Sequence, residues 1–127
     1  MYICQHMVRF NTFNILISWI IGQIWYTPRP FINNSNTHLL YQHKADSSFP
    51  SDHTLASMSI ALGLNKYSRI IGIISMAISI LIGISRVYVG HHYPQHVVGS
   101  YIMAIVLHTK ILYHIFSKAI MILEILI

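Results

Sequence analysis

Between two strongly apolar runs lies Ser85-Arg86-Val87-Tyr88-Val89-Gly90-His91-His92-Tyr93-Pro94-Gln95-His96, a polar stretch carrying an arginine and three histidines. Guanidinium forks bind phosphate oxygens in pairs, and imidazole serves as nucleophile or proton donor near neutral pH. Two more stretches hold groups of the same kind: Tyr26-Thr27-Pro28-Arg29-Pro30-Phe31 and Phe49-Pro50-Ser51-Asp52-His53-Thr54. Phosphoryl transfer requires a clamp for the equatorial oxygens, a nucleophile in line and an acid for the leaving oxygen. Arg29, Ser51, His53, Ser85, Arg86, His92 and His96 contain all three kinds of group, provided that the chain brings them together.

What must position them is a helical frame in a membrane. Of 127 residues, 54% are hydrophobic and 9% charged, far below the usual quarter charged of soluble domains. Apolar segments run from about Phe13 to Tyr26, Leu55 to Leu64, Ile70 to Ile84 and Val97 to Leu107, the last continuing as Ile111 to Phe116. They lack the strict alternation of barrel strands, so helices are expected. Each is shorter than the roughly 20 residues of an upright crossing, with Lys66, Arg69 and Lys110 placed to reach the headgroups. The net charge of +5 reflects a scarcity of carboxylates, only Asp46, Asp52 and Glu124, and the basic residues are scattered between apolar runs. This pattern excludes a nucleic-acid binder. Cys4 is alone, so no internal disulfide forms.

The polar breaks alternate in character. Met1 to Arg9, Asn65 to Arg69 and His108 to Lys118 are short and carry Arg9, Lys66, Arg69, Lys110 and Lys118; the positive-inside rule makes them cytoplasmic. The breaks Thr27 to Ser51 and Ser85 to His96 then share the outer face. Two prolines around Arg29 are expected to hold its backbone extended and to deny it helix. Ser51 is an N-cap candidate, with Asp52 at the positive end of the helix dipole and free amides for phosphate oxygens. Pro94 suits a first helical position.

Some side chains read more plainly. His91 is taken as interfacial or substrate-facing without a catalytic role, and His38 and His43 as loop residues. Tyr88 and Tyr93 suit an aromatic belt. Imidazoles such as His91, His92 and His96 bind transition metals, but with no carboxylate or thiolate among them neither a metal nor another cofactor is expected.

Arg29-Pro30, Pro50-Ser51-Asp52-His53 and Ser85-Arg86 followed after five residues by His92 resemble the three signature motifs of the type 2 phosphatidic acid phosphatase superfamily. The bacterial undecaprenyl-diphosphatases of the bacitracin-resistance subgroup are the most similar. The resemblance implies an all-α integral membrane bundle with the acid phosphatase and vanadium haloperoxidase core, a single partial domain over residues 1–127. Residues 10–116 resemble that core and 117–127 form an apolar tail. It implies a plasma-membrane, multi-pass phosphatase with its site on the extracytoplasmic side, releasing phosphate from a polyprenyl diphosphate through a phosphohistidine. His92 would be the nucleophile and His53 the acid, with Arg29, Arg86 and Ser51 holding the phosphoryl group. Phosphatidic acid or another lipid phosphate is an alternative substrate, and a catalytically dead membrane protein of the same fold an alternative function.

Three departures accompany the resemblance. The family lysine seven residues before the first-motif arginine is replaced by Gly22, for which Lys44 is the candidate substitute. The family aspartate four residues after the nucleophile, which orients that histidine, is replaced by His96. A partner without negative charge is expected to cost about 10²–10⁴ in turnover, by analogy with a protease triad. About four spanning helices are expected where the family has about six, which suggests that N-terminal helices are missing.

Overall fold

The computed structural model describes the backbone of residues 2–126 and the side chains of residues 4–5, 7–109, 114 and 117–126. All regular elements among them are helices: α1 (Tyr2–Ile24), α2 (Pro30–Asn33), α3 (Asp52–Asn65), α4 (Arg69–Tyr88), α5 (Pro94–Leu107) and α6 (Lys110–Leu126). The centre is α3, packed against α1, α4 and α5, while α6 touches α5. Among the described residues only α4, 20 residues long, is by length and composition able to cross a membrane; α5 is a shorter apolar helix.

Burial is inverted relative to a water-soluble bundle. The buried residues of α4 are Gly72, Ser79 and Gly83, whereas Ile70, Ile73, Ile74, Ile78, Leu81 and Ile84 are exposed. Without a hydrophobic drive between helices in lipid, small residues and interhelical hydrogen bonds make the contacts. Asn14 Nδ2 donates to Ser59 Oγ at 2.8 Å, joining α1 to α3. Ser57 and Ser79 hydroxyls pair at 2.8 Å between α3 and α4. Tyr101 Oη donates to the Ser79 carbonyl at 2.7 Å, bringing in α5. A small apolar cluster of Leu55, Met58 and Ala104 fills the remaining centre, with Leu62, Met76, Tyr101 and Met103 against it.

Three expectations change. The first helix begins at Tyr2 rather than near Phe13, because Met1 to Arg9, though polar, contains no proline, glycine or cap to stop a helix. Arg29 is extended as expected, at φ −73° and ψ 156°, but Pro30 starts the one-turn α2 instead of preventing helix; proline at a first helical position lacks only an amide with no intrahelical partner. The tail and the Ile111 to Phe116 segment form one helix, α6, after a break at His108 and Thr109.

The end of α4 fixes the spacing of the third motif. Gly90 adopts φ +80°, its N–H donates to the Val87 carbonyl at 3.0 Å, and the His91 N–H reaches back to the Arg86 carbonyl at 3.1 Å. This is a Schellman motif; it also draws the His92 N–H to the Arg86 carbonyl, at 3.3 Å. Arginine and histidine, six positions apart, are thereby folded onto one another. A Cβ on Gly90 would meet Thr37 Cγ2 at 3.0 Å and the His38 carbonyl oxygen at 3.1 Å, and left-handed backbone costs an L-residue about 1–2 kcal/mol. Gly90→Ala is therefore expected to destabilise the protein by about that amount or more, read as a lowered thermal midpoint in detergent. An unchanged midpoint would contradict this account of the turn.

Candidate active site

The two breaks assigned to one face do meet, and a buried arginine joins them. Arg29 is 5% exposed. Its Nε donates to Asp46 Oδ1 at 2.7 Å, and its Nη1 donates to the His91 carbonyl at 2.9 Å and lies 3.1 Å from His92 Nε2. Arginine has donors only, so Nε2 of His92 accepts. The other ring nitrogen is fixed by the same logic: Nδ1 lies 2.7 Å from the Ser48 carbonyl oxygen, which can only accept. His92 is therefore neutral, with its proton on Nδ1 and its Nε2 lone pair facing a guanidinium. Burial first, then the Arg29 charge, push its pKa down to about 3, against a smaller upward pull from the Ser48 carbonyl.

Arg86 reaches the cluster from the last turn of α4. Its Nη1 donates to Tyr41 Oη at 3.0 Å, and its buried Nε has no hydrogen-bond partner among the described residues, which leaves a donor for an oxyanion. His53, in the first turn of α3, is exposed and makes no hydrogen bond to the described residues; Arg86, Asp52 and Arg29 are its charged neighbours, with the His43 ring also near.

The remaining site candidates lie elsewhere. Ser51 occupies the N-cap position of α3 without capping it: its hydroxyl pairs with Thr54 Oγ1 at 3.0 Å and its N–H donates to Ser100 Oγ at 2.8 Å. Lys44 is exposed on the loop and outside the hydrogen-bonded cluster. His96 does not bond His92, whose Nδ1 is already taken; its own Nδ1 pairs with Ser48 Oγ at 2.9 Å. His91 is not interfacial but fully buried, ringed by Phe31, Tyr41 and His43, and burial lowers its pKa. The three imidazoles of the third motif thus do not converge on one point: His92 and His96 turn to different atoms of Ser48, and His91 Nε2 to the Tyr41 carbonyl. Among the described residues no three His, Cys, Asp or Glu side chains are placed to hold a metal ion.

Sequence reasoning missed Ser48, Asp46 and Tyr41, all on the loop before α3. No motif marks them. Gly22 shows how that loop fits: it is buried, and a Cβ there would stand 3.3 Å from Ser47 Cβ. A lysine stem at this position would occupy the space of the Ser47 to Phe49 segment.

A profile of the PAP2 superfamily matches residues 7–121. The chain belongs to the PAP2 superfamily. It is 40% identical over 93 residues to undecaprenyl-diphosphatase BcrC of Bacillus subtilis strain 168, covering 73% of this chain and 48% of the relative. It is 35% identical over 88 residues to a putative undecaprenyl-diphosphatase, YbjG, of Escherichia coli strain K12, covering 68% and 44%. The chain thus spans about half the length of the curated relatives it matches. The crystal structure of a transmembrane PAP2-type phosphatidylglycerolphosphate phosphatase from Bacillus subtilis superposes with a TM-score of 0.67 at 25% identity, covering 90% of this chain and 58% of that one. The all-helical membrane bundle is therefore the PAP2 fold.

The depressed His92 pKa has a testable sign. A folded-state value below the ordinary 6.5 means that the folded protein favours the neutral ring. The associated stability is complete above pH 6.5 and is lost as pH falls from there toward 3. The thermal midpoint in detergent should fall on acidification from pH 7 to pH 4, and less so in His92→Gln. Parallel pH dependences in the two proteins would contradict the assignment.

Proposed function

We propose that this chain carries the phosphoryl-transfer site of an undecaprenyl-diphosphate phosphatase, releasing phosphate from a polyprenyl diphosphate and so returning the carrier lipid to cell-wall synthesis. The observation that carries the reading is the geometry at His92: a neutral ring whose Nδ1–H donates to the Ser48 carbonyl and whose Nε2 faces a guanidinium. On this reading Nε2 attacks the terminal phosphorus while Arg29 and Arg86 take the equatorial oxygens. The phosphorus–oxygen bond to the lipid phosphate breaks, and His53 gives its proton to the departing oxygen. Water then attacks the phosphorus, with His53 receiving the water's proton; the phosphorus–nitrogen bond breaks, its electron pair returns to His92 Nε2, and inorganic phosphate leaves. The similarity to the undecaprenyl-diphosphatase BcrC and the putative undecaprenyl-diphosphatase YbjG supports the substrate.

An apolar groove of about 440 Å³ between α4 and α5, lined by Ile84, Val87, Tyr88, Pro94 and Val98 among others, gives a lipid chain a surface next to the third motif. The charge pattern supports a site on the extracytoplasmic side of a multi-pass protein. A second reading, lipid binding without turnover, is favoured by one observation: among the described residues no carboxylate is bonded to His92, and the carboxylate of Asp46 holds Arg29 instead.

The test is phosphate release from undecaprenyl diphosphate by protein purified in detergent, without added metal. Turnover is expected, with phosphatidic acid a poorer substrate. His92→Ala should abolish it, His53→Ala should reduce it about 10²–10⁴-fold, and the phosphoenzyme should be acid-labile and base-stable. Absence of turnover with retained lipid binding would leave the second reading; loss of turnover on chelation would exclude this mechanism.

A further inference from the structure

A neutral imidazole carries its proton on one nitrogen only, and the hydrogen bond made there decides which nitrogen is left to react. For His92 that bond goes to the backbone of Ser48, so whatever aims the Ser48 carbonyl aims the ring. Ser48 is fully buried and held at three points. Its N–H donates to the Thr27 carbonyl at 2.7 Å, its carbonyl accepts from His92 Nδ1 at 2.7 Å, and its hydroxyl pairs with His96 Nδ1 at 2.9 Å. The flanking residue is tied down as well: Ser47 Oγ accepts from the Thr27 N–H at 3.2 Å and donates to the Phe49 carbonyl at 2.9 Å. His96 stands in the first turn of α5, between the rings of Phe49 and Tyr93. Its own carbonyl accepts from Ser100 Oγ at 2.8 Å, and that hydroxyl accepts the Ser51 N–H at 2.8 Å.

We propose that Ser48 is the positioning residue for the His92 imidazole and that His96 acts on His92 only through Ser48, by fixing the hydroxyl and with it the direction of the carbonyl. This deepens the phosphatase reading and rests on it for the role of His92. A side chain at position 96 is then not a failed direct partner of the nucleophile. It is one end of a relay in which a neutral peptide oxygen selects the tautomer and orients the ring, without supplying the charge that a carboxylate would add. Both positioning residues are outside the reacting atoms, so their loss should affect the rate of chemistry and not the capture of substrate.

The experiment is a double-substitution cycle with a separate spectroscopic arm. Ser48→Ala and His96→Ala should each lower kcat with KM unchanged, by on the order of 10²-fold for a ring displaced by about 1 Å. The double variant should be no worse than either single one, because both break the same link. His96→Asn, whose amide can occupy the place of Nδ1, should restore kcat to within a few-fold of the parent. Additive losses, a change confined to KM, or an Asn variant as poor as the Ala variant would each overturn the relay.

Nitrogen-labelled histidine NMR of the same proteins reads the ring without requiring turnover. His92 should show a protected Nδ1–H in the parent and in His96→Asn, and a rapidly exchanging one in Ser48→Ala and His96→Ala. If the parent releases no phosphate, the phosphatase reading falls, and the NMR arm alone decides the positioning. Protection equal in all four proteins would then overturn it. Thermal midpoints measured alongside identify any variant that has merely unfolded, and His96→Asn carries the comparison in that event.

Discussion

A guanidinium cannot be taken out of water unless it is paired and hydrogen-bonded, and Arg29 is almost wholly enclosed. Its partners come from two polar breaks separated by two helices, α3 and α4: Asp46 on its own loop, and the His91 carbonyl and His92 ring beyond α4. Burying this one side chain therefore demands that the loop before α3 and the turn after α4 close over the same spot. The extended backbone of Arg29, set between two prolines, presents the side chain without the freedom that a flexible loop would have to lose on ordering. The Schellman turn at Gly90 does the complementary work on the other side, setting the His91 carbonyl and the His92 ring where the guanidinium can use both.

The bundle beneath is held by the kind of contact that works in lipid. Polar side chains bond across helices, Ser57 with Ser79, Tyr101 to the Ser79 carbonyl and Ser100 from the Ser51 amide, a side-chain bond of this kind being worth roughly 0.6–2 kcal/mol in a membrane. Ser100 belongs to this set and to the site at once, since it joins the α5 backbone at His96 to the start of α3 at Ser51. The polar residues that knit the helices thus run without interruption into those that hold His92. Little in the first layer around His92 depends on a side chain that is free to turn.

Legibility in the sequence followed the range of the interaction concerned. The helices over the four apolar segments, the Pro94 helix start and the meeting of the two polar breaks were legible because hydropathy, proline geometry and charge placement are local signals. The third motif was legible as a spacing, and the turn at Gly90 explains that spacing in backbone hydrogen bonds. What could not be read was tertiary partnership. Ser48 and Asp46 lie in a long loop whose path depends on Gly22 admitting Ser47 and on Arg29 needing a carboxylate, and neither condition leaves a pattern in the chain. His96 was read against His92 because both sit near the start of α5, yet Ser48 takes a nitrogen from each. Ser51 was correctly placed at the start of α3, but its hydroxyl found the Thr54 side chain instead of a backbone amide.

The substrate-free arrangement also bears on how a site of this kind avoids reacting with the wrong partner. With Arg29 donating to Nε2, the lone pair of His92 is engaged, and its low pKa prevents the alternative of protecting it with a proton. A phosphate group entering between Arg29 and Arg86 carries full negative charge, and guanidinium binds phosphate oxygens with both charge and a bidentate fork, neither of which a neutral imidazole nitrogen can match. On the phosphatase reading the incoming phosphate therefore takes Arg29 from His92 and, in the same movement, exposes the lone pair to the phosphorus. Binding and activation become one event, whereas an uncharged electrophile has nothing with which to draw the arginine away. The requirement on the far side of the ring is then that His92 stay in place when Arg29 leaves it. A buried carbonyl held at its own amide and hydroxyl meets that requirement through geometry, even where no carboxylate is available to meet it through charge.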